Sequence, residues 1–275
     1  MELRWEHESE LALKAVSTGE EFIDYRPDRA GIVTKESLRD IATDVDVRIE
    51  RHMTRILSAS GHAVVGEEAF AKTPRLPDGN APFWLVDPID GTVNFVSGMP
   101  FYALSAGLCV GDQFEAGAVS LPAFKELFFT YGDRGSYLNG ARLRSFDAEL
   151  SSSLVGASFS GIKGDPESRR KQYEAFGRVN DASRGCLRIG SAASMISYTA
   201  AGRLQATYGL NAQLWDVAGG LAVARQAGCK IYFSRRPGSS RCDYIVGAPS
   251  VAEELRELLS KMALAAFEEG SAPCR

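Results

Sequence analysis

Trp84-Leu85-Val86-Asp87-Pro88-Ile89-Asp90-Gly91-Thr92-Val93-Asn94-Phe95 sets two carboxylates directly behind a run of bulky apolar residues and then turns on a glycine. Phe83 to Val86 reads as a buried strand that ends at Asp87. Carboxylates as crowded as Asp87 and Asp90 repel each other, and a divalent cation between them relieves that repulsion. Gly91 lets the backbone approach an anion closely. If a helix begins at Thr92, its first amides face that anion as well. An isolated Asp-Gly is usually a plain turn, but Asp-Pro-Ile-Asp-Gly-Thr framed by apolar residues is a far more specific pattern.

Upstream, Val45, Ile49, Met53, Ile56 and Leu57 recur at helical spacing, so Asp44 to Ser60 is expected to be an amphipathic helix. His62 to Val65 is a short strand leading into Gly66-Glu67-Glu68, and Ala71 to Pro82 is a surface loop. Downstream, Ala103 to Val110, Glu115 to Ser120 and Glu126 to Thr130 suggest an antiparallel meander, followed by an Asn139-Gly140 hairpin turn. Leu154 to Phe159 is a strand and Glu167 to Val179 a charged helix. The second half then alternates: strands at Leu187-Ile189, Leu204-Tyr208, Cys229-Phe233 and Tyr244-Val246, with helices at Ser191 to Ala201, Asp216 to Gln226 and Val251 to Leu264. Such an order implies layered α and β elements rather than a bundle or barrel. All 275 residues are read as one catalytic domain, with halves of roughly 1–150 and 151–275.

The chain carries 31 Lys and Arg against 35 Asp and Glu, a net charge of −4 that gives no reason to expect nucleic-acid or anionic-membrane partners. No apolar run approaches the roughly 18 residues of a membrane span, and the N-terminus lacks a signal core. Five scattered cysteines without a Cys-x-x-Cys pair read as reduced thiols of a cytoplasmic protein. The three histidines, His7, His52 and His62, all stand early in the chain, so any metal is expected to be a hard cation held by carboxylates.

On these residues the chain resembles the inositol monophosphatase family, within the Mg²⁺-dependent, lithium-sensitive sugar and nucleotide phosphatases. Asp87 to Phe95 is similar to its first signature and Leu214-Trp215-Asp216-Val217-Ala218-Gly219-Gly220 to its second. Gly66-Glu67-Glu68 stands at the family's distance before the first signature, and Asp40-Ile41-Ala42-Thr43-Asp44-Val45-Asp46, with Lys35 upstream, resembles a further element. Haloacid-dehalogenase phosphatases also carry Asp-Gly-Thr, but their aspartates are separated by one residue, whereas here Pro88 and Ile89 intervene.

The resemblance implies a layered α-β-α-β-α sandwich, usually a homodimer, and a site with two to three Mg²⁺ ions. Glu67, Asp87 and the carbonyl of Ile89 would hold one ion, and Asp87, Asp90 and Asp216 a second, with Asp87 bridging. Thr92, bonded to Asp46, would orient and help deprotonate a metal-bound water, with Glu67 beside it. Asp90, Gly91, Thr92 and the element Gly190-Ser191-Ala192 would lie against the substrate, although the latter also reads as a strand-to-helix turn capped by Ser191. Asp216 alone also reads as an N-cap, and Asp44 and Asp46 as first-turn acids favoured by the helix dipole. Gly209 stands where inositol-specific members have an acidic residue, which leaves open inositol phosphates, other sugar phosphates, histidinol phosphate, fructose 1,6-bisphosphate and 3′-phosphoadenosine 5′-phosphate. Asn211 or Gln213 could contact another polyol. Arg235, Arg236 and Arg241 either meet a second phosphate or form a solvated basic loop. A regulatory binding protein on the same fold is the non-enzymatic alternative.

Overall fold

Two sheets face each other across a pair of helices in the computed structural model, which describes residues 4–23, 33–34, 41–77, 79–159, 165–236, 238–262 and 268–269. Lys35 and Asp40 lie outside the described residues.

Helix α1 (Glu6–Gly19) is followed by the short antiparallel pair β1 (Val33–Thr34) and β2 (Ile41–Ala42). Helix α2 (Asp44–Leu57) begins at Thr43 in a capping box: the Thr43 side chain accepts from the Asp46 amide, and the Asp46 carboxylate accepts from Thr43 N. The box satisfies amides that a helix start otherwise leaves open. Val45, Ile49, Met53 and Leu57 form its buried stripe. Strand β3 (Ala63–Gly66) runs straight into α3 (Glu67–Lys72); then come β4 (Phe83–Asp90), α4 (Thr92–Val96), β5 (Ala103–Val110), β6 (Gln113–Leu121), β7 (Glu126–Thr130), β8 (Ser136–Leu138) and β9 (Ala141–Arg142). Strands β3 to β9 make a seven-stranded sheet in sequence order, parallel at β3–β4 and antiparallel thereafter, so the expected meander is present. Asn139 (φ 49°) and Gly140 (φ 86°) make its last turn, both left-handed as such a hairpin requires.

The second half contributes β10 (Leu154–Phe159), α5 (Pro166–Ala182), β11 (Gly185–Leu187), α6 (Ala192–Ala200), β12 (Ala206–Gln213), α7 (Leu214–Gln226), β13 (Lys230–Arg235), β14 (Arg241–Gly247), α8 (Pro249–Ser260) and β15 (Glu268–Glu269). Its sheet has the order β11-β10-β12-β14-β13-β15. Most boundaries shift by one to three residues, α3 extends to Lys72 into the stretch expected to be a loop from Ala71, and three shifts in the second half have a clear physical reason or bound. The strand expected at Leu187-Ile189 is Gly185–Leu187, because Gly190 turns the chain with φ 84° toward α6. The strand expected at Leu204-Tyr208 is Ala206–Gln213: Asn211, at φ 62°, sits in a bulge, and pairing with β14 resumes beyond it. Helix α8 ends at Ser260 rather than Leu264, which lies outside the described residues.

The layers follow from where the apolar faces pack. Helices α1 and α2 cover the outer face of the first sheet, α6 and α7 fill the space between the sheets, and α5 and α8 cover the outer face of the second. The chain is therefore an α-β-α-β-α sandwich. The close fit of α7 on the first sheet depends on missing side chains: a Cβ on Gly107 of β5 would stand 2.6 Å from Gly219 N, and one on Gly219 would stand 2.8 Å from Ala106 O. Helix α1 has no counterpart in the sequence reading, because its buried face is Ser9, Ala12, Ala15, Val16 and Gly19 and carries almost no bulky apolar stripe. Among the described residues Cys109, Cys186, Cys229 and Cys242 are free and buried, and no helix is long and apolar enough to cross a membrane.

Candidate active site

Asp87, Asp90 and Asp216 each offer a carboxylate oxygen, and these oxygens lie within 4.8 Å of one another. Residues three apart on a regular strand point to opposite faces. Here β4 slips its register against β5 between Asp87 and Asp90, across Pro88 and Ile89, and Pro88 has no N–H to give the ladder. The slip brings both carboxylates to one side, and pairing resumes at Asp90 opposite Ala103. The strand therefore continues to Asp90 instead of ending at Asp87. Asp216 comes from α7, where it is the third helical residue and its Oδ2 accepts from Gln213 N at 3.3 Å. Gln213, not Asp216, is the N-cap, since the carboxylate reaches back to the preceding turn.

The three acids are held against their ionisation. Burial, then the charges of Glu67, Asp90 and Asp216, push Asp87 well above the usual carboxylate range. Burial and the Asp90 and Glu67 charges do the same to Asp216, with Arg241 pulling the other way. Asp90 is pushed up to about 7 by burial, partly offset by hydrogen bonds: its Oδ2 accepts from Ser191 Oγ at 2.6 Å and from Ala193 N at 2.7 Å, at the start of α6. Ser191 is the N-cap of that helix, as the turn reading expected, and it reaches the acidic group through Asp90.

Five helices begin at this place. Asp46 lies in the first turn of α2, Glu67 opens α3, Thr92 opens α4, Ser191 caps α6 and Asp216 lies in the first turn of α7. Their positive ends face an acidic cluster and would equally favour a phosphate. Glu67 stands outside the 4.8 Å group but close enough for its charge to act on both Asp87 and Asp216. Thr92 Oγ1 donates to Ile89 O at 3.0 Å, with Asp46 Oδ1 as a more distant acceptor at 3.5 Å. The other Asp46 oxygen accepts from Thr43 N at 2.8 Å, so one carboxylate both starts α2 and faces Thr92. Gly91, at φ 93°, admits no side chain: a Cβ would stand 2.9 Å from Phe101 O and 3.2 Å from Gly190 O. Asn94 has no role in the sequence reading, yet its amide donates to Phe101 O at 2.6 Å and Ile189 O at 2.7 Å, tying α4 to the turn before α6. Its place inside the first signature was the available signal.

Beside this group, Gly209 pairs with Tyr244 across β12 and β14, and the Tyr244 ring covers the glycine. The basic residues are engaged locally. Arg236 pairs with Asp243 at 3.5 Å, Arg235 with Asp112 at 3.7 Å, and Arg241 donates to Asn211 O at 3.1 Å. None of these contacts brings the three together as a phosphate cradle.

A sequence profile described as "Inositol monophosphatase family" matches residues 6–269. Over 237 residues the chain is 36% identical to the inositol-1-monophosphatase SuhB of Mycobacterium tuberculosis, covering 82% of this chain and 80% of that protein. It is 28% identical to the Nus factor SuhB of Haemophilus influenzae over 233 residues, 83% of this chain and 85% of that one. Among solved structures, Mycobacterium tuberculosis SuhB superposes with a TM-score of 0.76 at 30% identity, over 95% of this chain and 98% of the other.

Proposed function

Because the chain belongs to the inositol monophosphatase family, we propose that it hydrolyses the phosphate monoester of a small polyol or sugar, with Mg²⁺ as cofactor. The observation that carries this reading is the convergence of Asp87, Asp90 and Asp216 at one point where five helices begin. Three crowded carboxylates, two of them buried and one half-buried, are a poor arrangement for a bare protein and a good one for hard divalent cations, which take oxygen ligands.

Glu67, Asp87 and the carbonyl of Ile89 would hold one ion, Asp87, Asp90 and Asp216 a second, and a third would sit near Glu67. Bound Mg²⁺ supplies charge neutralisation at both the entering and leaving oxygens and lowers the pKa of water. The chain's own groups do the rest. Thr92 Oγ1 accepts a proton from the attacking water as it passes its own toward Asp46 Oδ1, the acceptor 3.5 Å away. Backbone amides at the starts of α4 and α6, around Gly91, Thr92, Gly190, Ser191 and Ala192, bind the phosphate oxygens. The burial of Asp87 and Asp90 keeps bulk water from competing with these contacts.

The Tyr244 ring over Gly209 argues for an alcohol other than inositol, since no acidic side chain can reach out from that position. A location in the cytoplasm and a homodimeric assembly belong to the same reading; light scattering tests the latter. The deciding experiment is phosphate release from inositol, sugar, histidinol and adenosine phosphates with Mg²⁺ and with EDTA. Metal-dependent turnover of at least one simple polyol or sugar ester is expected. A clear preference for the adenosine bisphosphate would replace this reading with a nucleotidase.

A second reading is favoured by the name of the Haemophilus influenzae relative: a regulatory binding protein on the same fold. No turnover of any ester in the panel with Mg²⁺ present would favour it.

A further inference from the structure

We propose that Glu50 is a positioning residue that aims Glu67 into the acidic centre, and that α2 thereby fixes both ends of the site. Glu50 is buried in the middle of α2 and takes no part in the chemistry described above. Its Oε2 accepts from Glu68 N at 2.7 Å and its Oε1 accepts from Ala69 N at 2.9 Å. These are first-turn amides of α3, which a helix cannot satisfy internally. The local N-cap, Gly66, makes no side-chain bond to them. It has none to make, and it is required: a Cβ at position 66 would overlap the Glu50 carboxylate, approaching Cγ to 2.7 Å.

Helix α3 is six residues long, too short to hold its geometry without outside support. Its start, and so the direction in which Glu67 leaves the backbone, is set by the carboxylate that grips its amides. Asp46 and Glu50 stand one turn apart, on one face of α2. Asp46 faces Thr92 and Glu50 holds α3, so a single rigid helix spaces the proton acceptor from the outer ligand.

This proposal rests on Glu67 as a metal ligand, and the test separates the two ideas. Titration calorimetry with Mg²⁺ alone is compared for wild type, Glu67→Gln, Glu50→Gln, Gly66→Ala and Met53→Ala. Gln at 50 presents an amide N–H to one backbone N–H, and Ala at 66 pushes the carboxylate away. Each is expected to weaken Mg²⁺ binding by roughly 10–100-fold, as loss of an outer-shell partner does, and to speed hydrogen exchange at Glu68 and Ala69. Met53 packs the same helix into the core beside Gly19 of α1, and Met53→Ala is expected to destabilise the fold while leaving Mg²⁺ affinity within about twofold. If Glu67→Gln weakens binding while Glu50→Gln and Gly66→Ala do not, or if Met53→Ala weakens it equally, the positioning role is wrong. Should wild type bind no Mg²⁺, the metal reading falls and this proposal with it. The two variants act from opposite sides of one contact, so the failure of either to fold leaves the other to decide.

Discussion

Tyr244 occupies the place in which a side chain on Gly209 would have to begin. The two are register partners on β14 and β12, and a Cβ on Gly209 would lie 2.6 Å from Tyr244 Cζ and 2.8 Å from Cδ1. Tyr244 is fully buried, and Asp90 and Asp216 are near enough to act on its hydroxyl. The relationship predicts strong coupling. Gly209→Ala should destabilise by about 1–3 kcal/mol through overpacking, and combining it with Tyr244→Ala should cost less than the sum of the two. Denaturant unfolding of the four proteins in a double-mutant cycle measures this; additive costs would mean that the ring does not fill that space.

Asp90→Asn should lower Mg²⁺-dependent phosphate release by at least about 100-fold while leaving the metal-free protein as stable as wild type or more so. The substitution removes a carboxylate whose ionisation burial opposes. A phosphate-release assay beside thermal unfolding in EDTA gives both numbers, and unchanged turnover would remove Asp90 from the site.

The pH dependence of the metal-free protein has a defined sign. Asp90 titrates at 3.8 when unfolded and about 7 when folded, so between these values the native state holds more protons than the unfolded one. Stability therefore falls as pH rises through that window, and Asp87 and Asp216, also raised, act in the same direction. Tm in EDTA should drop from pH 5 to pH 7.5, and the stabilisation by Mg²⁺ should grow over the same range. The slope should be smaller in Asp90→Asn; an equal slope would assign the effect to other groups.

Thr92→Ala should reduce kcat by roughly 10²–10⁴-fold with little change in KM, the range for a positioned proton-transfer group. Thr92→Ser, which keeps the hydroxyl, should recover most of it. Asp46→Asn should resemble Thr92→Ala and in addition lose about 1 kcal/mol of stability, because the same carboxylate caps α2.

Lithium in the millimolar range should inhibit turnover by competing at the Asp87, Asp90 and Asp216 position. Steady-state inhibition at varied Mg²⁺ measures it, and insensitivity would point to an altered ion position rather than to another reaction.

Much of this architecture is written in local sequence. The α2 stripe of Val45, Ile49, Met53 and Leu57 is plain periodicity, and the meander from Ala103 to Thr130 is plain strand and turn chemistry. Asp87, Asp90 and Asp216 were legible because crowded acids behind an apolar strand have few uses. What escaped was long-range or subtle. The bulge through Pro88 depends on pairing with β5, so the strand looked finished at Asp87. Helix α1 buries small residues, whose spacing carries little hydrophobic contrast. Glu50 carries no local signal in the sequence, and only the fold brings its carboxylate to amides 18 and 19 residues away. The Asn94 link to Ile189 spans 95 residues and is equally invisible to local patterns.

The contact of Gly219 with the strands beneath it bears on how turnover can be controlled. Hinged enzymes open along a seam where side chains slide and solvent enters, but here main chain rests on main chain, so there is no seam to part. On the proposed hydrolytic reading, a floor packed this way keeps Asp87, Asp90 and Asp216 at a fixed spacing, and substrate exchange is expected at the rim where the helices begin.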